Sequence, residues 1–138
     1  MNQSEFPSDF NNAHRSGKSA ENRLKNFLIE NDIPFQFGGN TTIDFTIFSK
    51  DKIIYIECTN QNRPGSVEEK IPHKIWKYVK KIGLKEIIIQ VGSWKLGNQV
   101  IEHIKEIEKT KDIKVIIFTE NQVKDYLLSM PKKENNFF

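Results

Sequence analysis

The chain has 138 residues, a formal net charge of +3 and a sequence pI near 8.9, which fits one ordinary domain and permits a polyanionic partner without requiring one. Its single cysteine, Cys58, excludes an internal disulfide framework and fits a reducing compartment. The opening MNQSEFPSDF lacks the cationic and apolar regions of a secretory signal, and no run approaches the roughly 18 apolar residues of a membrane span, so the expected location is the cytoplasm.

Residues 1–18 carry Asn, Ser and isolated Phe without a period and read as a flexible N-terminal arm. From Ser19, an N-cap residue type, SAENRLKNFLIEN places Leu24, Phe27 and Leu28 at helical spacing. Pro34 and Gly38-Gly39 bracket a short strand, PFQF. TIDFTIF then alternates, with Ile43, Phe45 and Ile47 on one face and Asp44, Thr46 and Phe48 on the other. After a turn at Ser49-Lys50-Asp51, KIIYIEC is a more continuously apolar strand, and the two adjacent strands predict an antiparallel hairpin.

NQNRPGS reads as a loop. The next helix carries Ile71, Ile75, Tyr78, Val79 and Ile82 on one stripe, with Pro72 tolerable only in its first turn. EIIIQV is a buried strand, NQVIEHIKEIEK an amphipathic helix through Val100, Ile104 and Ile107, and IKVIIF a second buried strand. Thr119 and Gln122 form a capping-box pattern opening a last helix, ENQVKDYLLSM. Residues 131–138 lack a pattern and read as a C-terminal tail. The order α-β-β-β-α-β-α-β-α predicts a single α/β domain over 19–130. Its central sheet is mixed, an antiparallel hairpin feeding parallel strands, with flanking helices.

Three acids break local rules within this order. Glu21 shares the apolar face of the first helix, where an unpaired carboxylate is costly. Asp44 falls mid-strand, where aspartate is disfavoured. Glu57 ends the neighbouring strand, with Thr59 and Gln61 projecting from the same face if the strand stays regular. A hairpin bringing Asp44 beside Glu57 would converge carboxylates that need a cation, and oxygen-rich clusters suit Mg²⁺. Taken singly, each has an ordinary explanation: Asp44 exposed on an open face, Glu57 a strand-end charge, Glu21 paired with Arg23 or Lys25.

An acid on a leading helix, then Asp, then Glu-x-Lys on the next strand of a hairpin, resembles the PD-(D/E)xK, or restriction-endonuclease-like, nuclease superfamily. The matching residues are Glu21, Asp44 in TTIDFTIF and Glu57 in IYIECTNQN, and the likeness covers roughly residues 19–92. The resemblance implies an αβββαβ core and a metal-dependent DNA endonuclease. It implies Mg²⁺, with Mn²⁺ as a substitute, held by Glu21, Asp44 and Glu57, polarising the scissile phosphate and activating a water. The motif lysine is absent, because its position is Thr59. Gln61 could orient the water in its place. A lysine from the following segment, Lys70 first and Lys74 second, could supply the charge. Otherwise the site is inactive and the fold serves as a DNA-binding or assembly module.

SGKS at 16–19 is no phosphate loop, because Asn12 stands where the first glycine is needed and no strand precedes it. Arg15 and Lys18, with His14, form a small basic cluster that could contact a DNA backbone. Lys74, Lys77, Lys80, Lys81 and Lys85 provide further phosphate candidates. His73 and His103 lack metal-ligand spacing and read as surface residues. Cys58 should turn away from Glu57 into the core, and Trp76 should pack there too. One active site per domain implies a homodimer or larger symmetric assembly for cutting both strands of DNA. Restriction, phage or mobile-element and junction-resolving enzymes all fit, with the host cytoplasm as the location of a phage protein.

Overall fold

The computed structural model describes residues 8–38, 43–59, 66–92 and 96–131, and side chains for all of these except 8–18 and 66–69. The elements are α1 (Ser8–Glu30), β1 (Phe35–Phe37), β2 (Phe45–Phe48), β3 (Ile53–Cys58), α2 (Ser66–Ile82), β4 (Glu86–Val91), α3 (Asn98–Lys111), β5 (Lys114–Thr119) and α4 (Glu120–Ser129). They form one sheet in the order β1-β2-β3-β4-β5. The pairs β1–β2 and β2–β3 are antiparallel, while β3–β4 and β4–β5 are parallel. This is the mixed α/β architecture that the element order predicts.

Strand alternation builds the two helical layers. Ile54 and Ile56 of β3 and Ile88 of β4 pack with Leu24 and Leu28 of α1 and with Val123 and Leu127 of α4. Ile87 and Ile89 of β4 face the other way, onto Ile71, Ile75 and Tyr78 of α2 and Val100, Ile104 and Ile107 of α3. Burying each such side chain contributes about 1.5–3 kcal/mol. The unpaired edge of β5 is blunted, as a sheet edge requires. Glu108 accepts the Val115 N–H (2.8 Å) and the Gln122 side chain accepts that of Thr119 (2.8 Å). Gln122 and Thr119 thereby complete the expected capping box of α4. Among the described residues no helix is long and apolar enough to cross a membrane.

Four local expectations change. The first helix begins at Ser8, so Ser19 lies inside it and caps nothing, and SGKS is helical. No proline interrupts residues 8–33, and Gly17 weakens a helix by only about 1 kcal/mol. Ile43 packs with the α2–α3 layer whereas Phe45 and Ile47 face α1, because the chain bends at Asp44 and β2 starts only at Phe45. Pro72 lies beyond the first turn of α2, where its missing N–H leaves the carbonyl four residues back without its usual helical partner; its ring is buried. Trp76 is 38% exposed rather than in the core, flanked by Lys80 and Lys111, whose ammonium groups lie 4.7 and 5.8 Å from its ring centre.

Candidate active site

The bend before β2 meets the carboxyl end of β3. Because Phe45 pairs with Ile56, the next residues out, Asp44 and Glu57, are neighbours. The Asp44 N–H donates to Glu57 Oε1 at 3.2 Å, and Asp44 Oδ2 accepts the Cys58 N–H at 2.9 Å. The bend that took Asp44 out of the strand is what frees its backbone and carboxylate for these two bonds.

Glu57 is only 3% exposed and points toward α2. Two α2 residues one turn apart reach it: the Tyr78 hydroxyl donates to Oε1 (3.1 Å) and Lys74 Nζ to Oε2 (3.1 Å). Glu57 is thus held at both oxygens, while the Lys74 side chain remains half exposed. Among the described residues the Asp44 carboxylate has the Cys58 N–H but no cation in contact. Burial, then the charge of Glu57, pushes its carboxyl up to about 7; Glu21 adds to the rise, while the Cys58 N–H and Lys74 oppose it. A carboxyl so placed is receptive to a cation.

The remaining expected site residues fall out differently. Glu21 is partly exposed on α1, and its charge is felt by Asp44 and Cys58. Neither ordinary partner reaches it: Arg23 donates to Glu120 from Nε and NH2 (2.9 Å each), and Lys25 sits 4.1 Å from the Phe37 ring centre. Thr59 spends both its N–H (2.9 Å) and its hydroxyl (3.1 Å) on the Gln90 carbonyl. Cys58 turns from Glu57 to the α1 layer, and burial, followed by the Asp44 charge, raises its thiol far from the reactive thiolate range. Lys70 and Lys77 are exposed on α2, and among the described residues neither joins an ion pair. Gln61 and Trp94 lie outside the described residues, as do the side chains of His14, Arg15 and Lys18. His73 and His103 are exposed.

Two polar groups escaped the reading of the sequence. Tyr78 lay in an apolar stripe, although its position one turn after Lys74 places both on one helix face. Gln90 lay inside a buried apolar strand. It is wholly buried, in register with Cys58, and among the described residues neither its amide nitrogen nor its oxygen finds a partner.

The donor set decides whether a cation fits. Mg²⁺ takes one or two protein carboxylates and completes its shell with waters and substrate phosphate. Asp44 and Glu57 supply two hard oxygen donors, and the Asp44 carboxyl, raised by burial, feels the negative charge of both Glu57 and Glu21. Among the described residues no group of three or more His, Cys, Asp or Glu is placed to hold a metal ion, so the fit rests on this pair. No curated protein and no solved structure matches the chain. The family model described as a PD-(D/E)XK nuclease superfamily domain matches residues 8–127, spanning α1 to α4 and both carboxylates. On that match, and with the acidic pair at the end of its hairpin, the chain belongs to the PD-(D/E)XK nuclease superfamily.

Proposed function

We propose that the chain is a Mg²⁺-dependent DNA endonuclease in which Asp44 and Glu57 hold the cation and Lys74 takes the place of the missing motif lysine. The observation that carries this reading is the contact of Lys74 with Glu57 at 3.1 Å, which puts an ammonium group at the carboxylates although position 59 is threonine. A bound Mg²⁺ would supply Lewis-acid polarisation of the scissile phosphate and a more acidic water.

The chain's own residues do the rest. Tyr78 and the Asp44 N–H fix one oxygen of Glu57, so its second oxygen keeps one direction. Lys74 offsets negative charge gathering at the phosphate and is half exposed, so its remaining N–H bonds can meet substrate or water. Glu21 adds negative field at Asp44 and thereby favours a cation there. With one such site per chain, cutting a duplex through requires a symmetric dimer or larger assembly. Restriction, phage or mobile-element and junction-resolving roles share this chemistry.

A second reading has its own observation. Lys74 already neutralises one oxygen of Glu57, which favours an inactive DNA-binding or assembly module on the same fold. Incubation of supercoiled plasmid with the protein in Mg²⁺, Mn²⁺ or EDTA separates the two. The nuclease reading expects nicked circles with either metal, none in EDTA, and none from Asp44→Asn. Intact plasmid in both metals, with DNA retardation preserved, would replace it with the module.

A further inference from the structure

The stretch Lys70–Ile82 contains five lysines and no carboxylate. A merely solvated helix face intersperses signs, as α3 does with Glu102, Glu106 and Glu108 among Lys105, Lys109 and Lys111. In α2, Lys70, Lys74, Lys77 and Lys81 fall within about 60° of one another around the axis and form one row about 16 Å long. None has an acidic residue three or four positions away. The like-charged pairs Lys70–Lys74 and Lys77–Lys81 each cost about 0.2–0.5 kcal/mol of helix stability. Lys81 recovers some of this from the helix C-terminus, but Lys70, Lys74 and Lys77 lie too far from it.

All four side chains are exposed, and among the described residues only Lys74 has an ion-pair partner, Glu57. The row is therefore continuous with the candidate active site. Since α2 runs back from the carboxyl end of β3 toward the start of β4, the row leads from Glu57 down the flank of the domain. Binding of a single strand would call for aromatic stacking platforms. The exposed aromatic on this helix, Trp76, stands off the row and is already flanked by Lys80 and Lys111.

We infer that Lys70, Lys77 and Lys81, in line with Lys74, form a track for the phosphate backbone of double-stranded DNA, leading one strand to Glu57. This inference rests on the nuclease reading for its choice of DNA, but its test is separate. Binding of a fluorescent 20-base-pair duplex is followed by anisotropy in EDTA between 50 and 200 mM KCl. Each neutralised phosphate contact changes the slope of log affinity against log salt by about 0.9. Lys77→Gln/Lys81→Gln should flatten that slope by about 1.8. Lys50→Gln/Lys124→Gln, in the turn before β3 and on α4 in the opposite helical layer, should leave it unchanged.

Equal slopes for wild type and the α2 double variant overturn the track. So does a single strand or an RNA duplex bound more tightly than the DNA duplex. Flattening without metal-dependent nicking of plasmid keeps the track and removes the nuclease reading. Nicking with an unchanged slope does the reverse.

Discussion

Replacing Asp44 by asparagine should stabilise the metal-free protein at neutral and alkaline pH while removing activity. The carboxyl ordinarily titrates at 3.8 and is held at about 7, chiefly by burial and secondly by Glu57. A rise of that size corresponds to on the order of 4 kcal/mol. Partial solvent access and relaxation at the bend reduce this to about 2 kcal/mol. The direction follows from proton linkage. Between pH 4 and 7 the folded protein holds a proton on Asp44 that the unfolded chain has released, so stability falls as pH rises through this window. Above pH 7 the full penalty is present. Asparagine carries no charge, and its side-chain oxygen can still accept the Cys58 N–H. Urea unfolding in EDTA at pH 4.5, 6 and 8 measures the difference between variant and wild type. That difference should be small at pH 4.5 and reach about 2 kcal/mol in favour of the variant at pH 8. A variant less stable than wild type at pH 8, or a difference that does not change with pH, would refute the electrostatic reasoning.

Three further outcomes follow from neighbouring contacts. Lys74→Met removes the ammonium group at Glu57 and should lower the single-turnover nicking rate by about 10²–10³-fold, with Lys74→Arg retaining more activity; equal rates for wild type and Met would exclude Lys74 from the reaction. Tyr78→Phe leaves buried Glu57 one donor short and should cost about 1–3 kcal/mol in urea unfolding, and it should slow nicking as the carboxylate loses its fixed orientation. Gln90→Met replaces a buried amide that has no partner among the described residues with an apolar chain of similar length, so its melting temperature should rise by an amount equivalent to about 1–3 kcal/mol; a fall would mean that the amide has a partner.

The order of elements was readable because period and breakers agree along the chain. Gly38 and Pro34 bracket β1, and Thr119 and Gln122 cap α4 as their spacing implies. The convergence of Asp44 and Glu57 was also readable, since a short hairpin leaves few registers. What periodicity could not supply was the bend at Asp44, which carries Ile43 to the opposite layer while Phe45 stays facing α1. The lysine that contacts Glu57 was less legible still. Lys70 and Lys74 both follow Glu57 closely in sequence, and which of them reaches it depends on how α2 is turned and set against the sheet, while Gln61 lies outside the described residues. Packing of Ile71, Ile75 and Tyr78 on the sheet sets that rotation, and it turns Lys74 and the Tyr78 hydroxyl to Glu57. Gln90 shows the complementary blind spot, because a polar residue inside an apolar strand gives no sign of whether its amide is paired.

The proposed activity requires Asp44 and Glu57 to form a site for a divalent cation, and calorimetric titration of Mn²⁺ into the protein tests this most directly. If Asp44 titrates near 7, a cation bound at pH 6 must displace its proton, whereas at pH 8.5 the proton is already gone. Repeating the titration in buffers of different ionisation enthalpy measures that release. The predicted result is one saturable site per chain, with close to one proton released at pH 6, almost none at pH 8.5, and none from Asp44→Asn. Absence of saturable binding, or binding and proton release unaltered by Asp44→Asn, would contradict it.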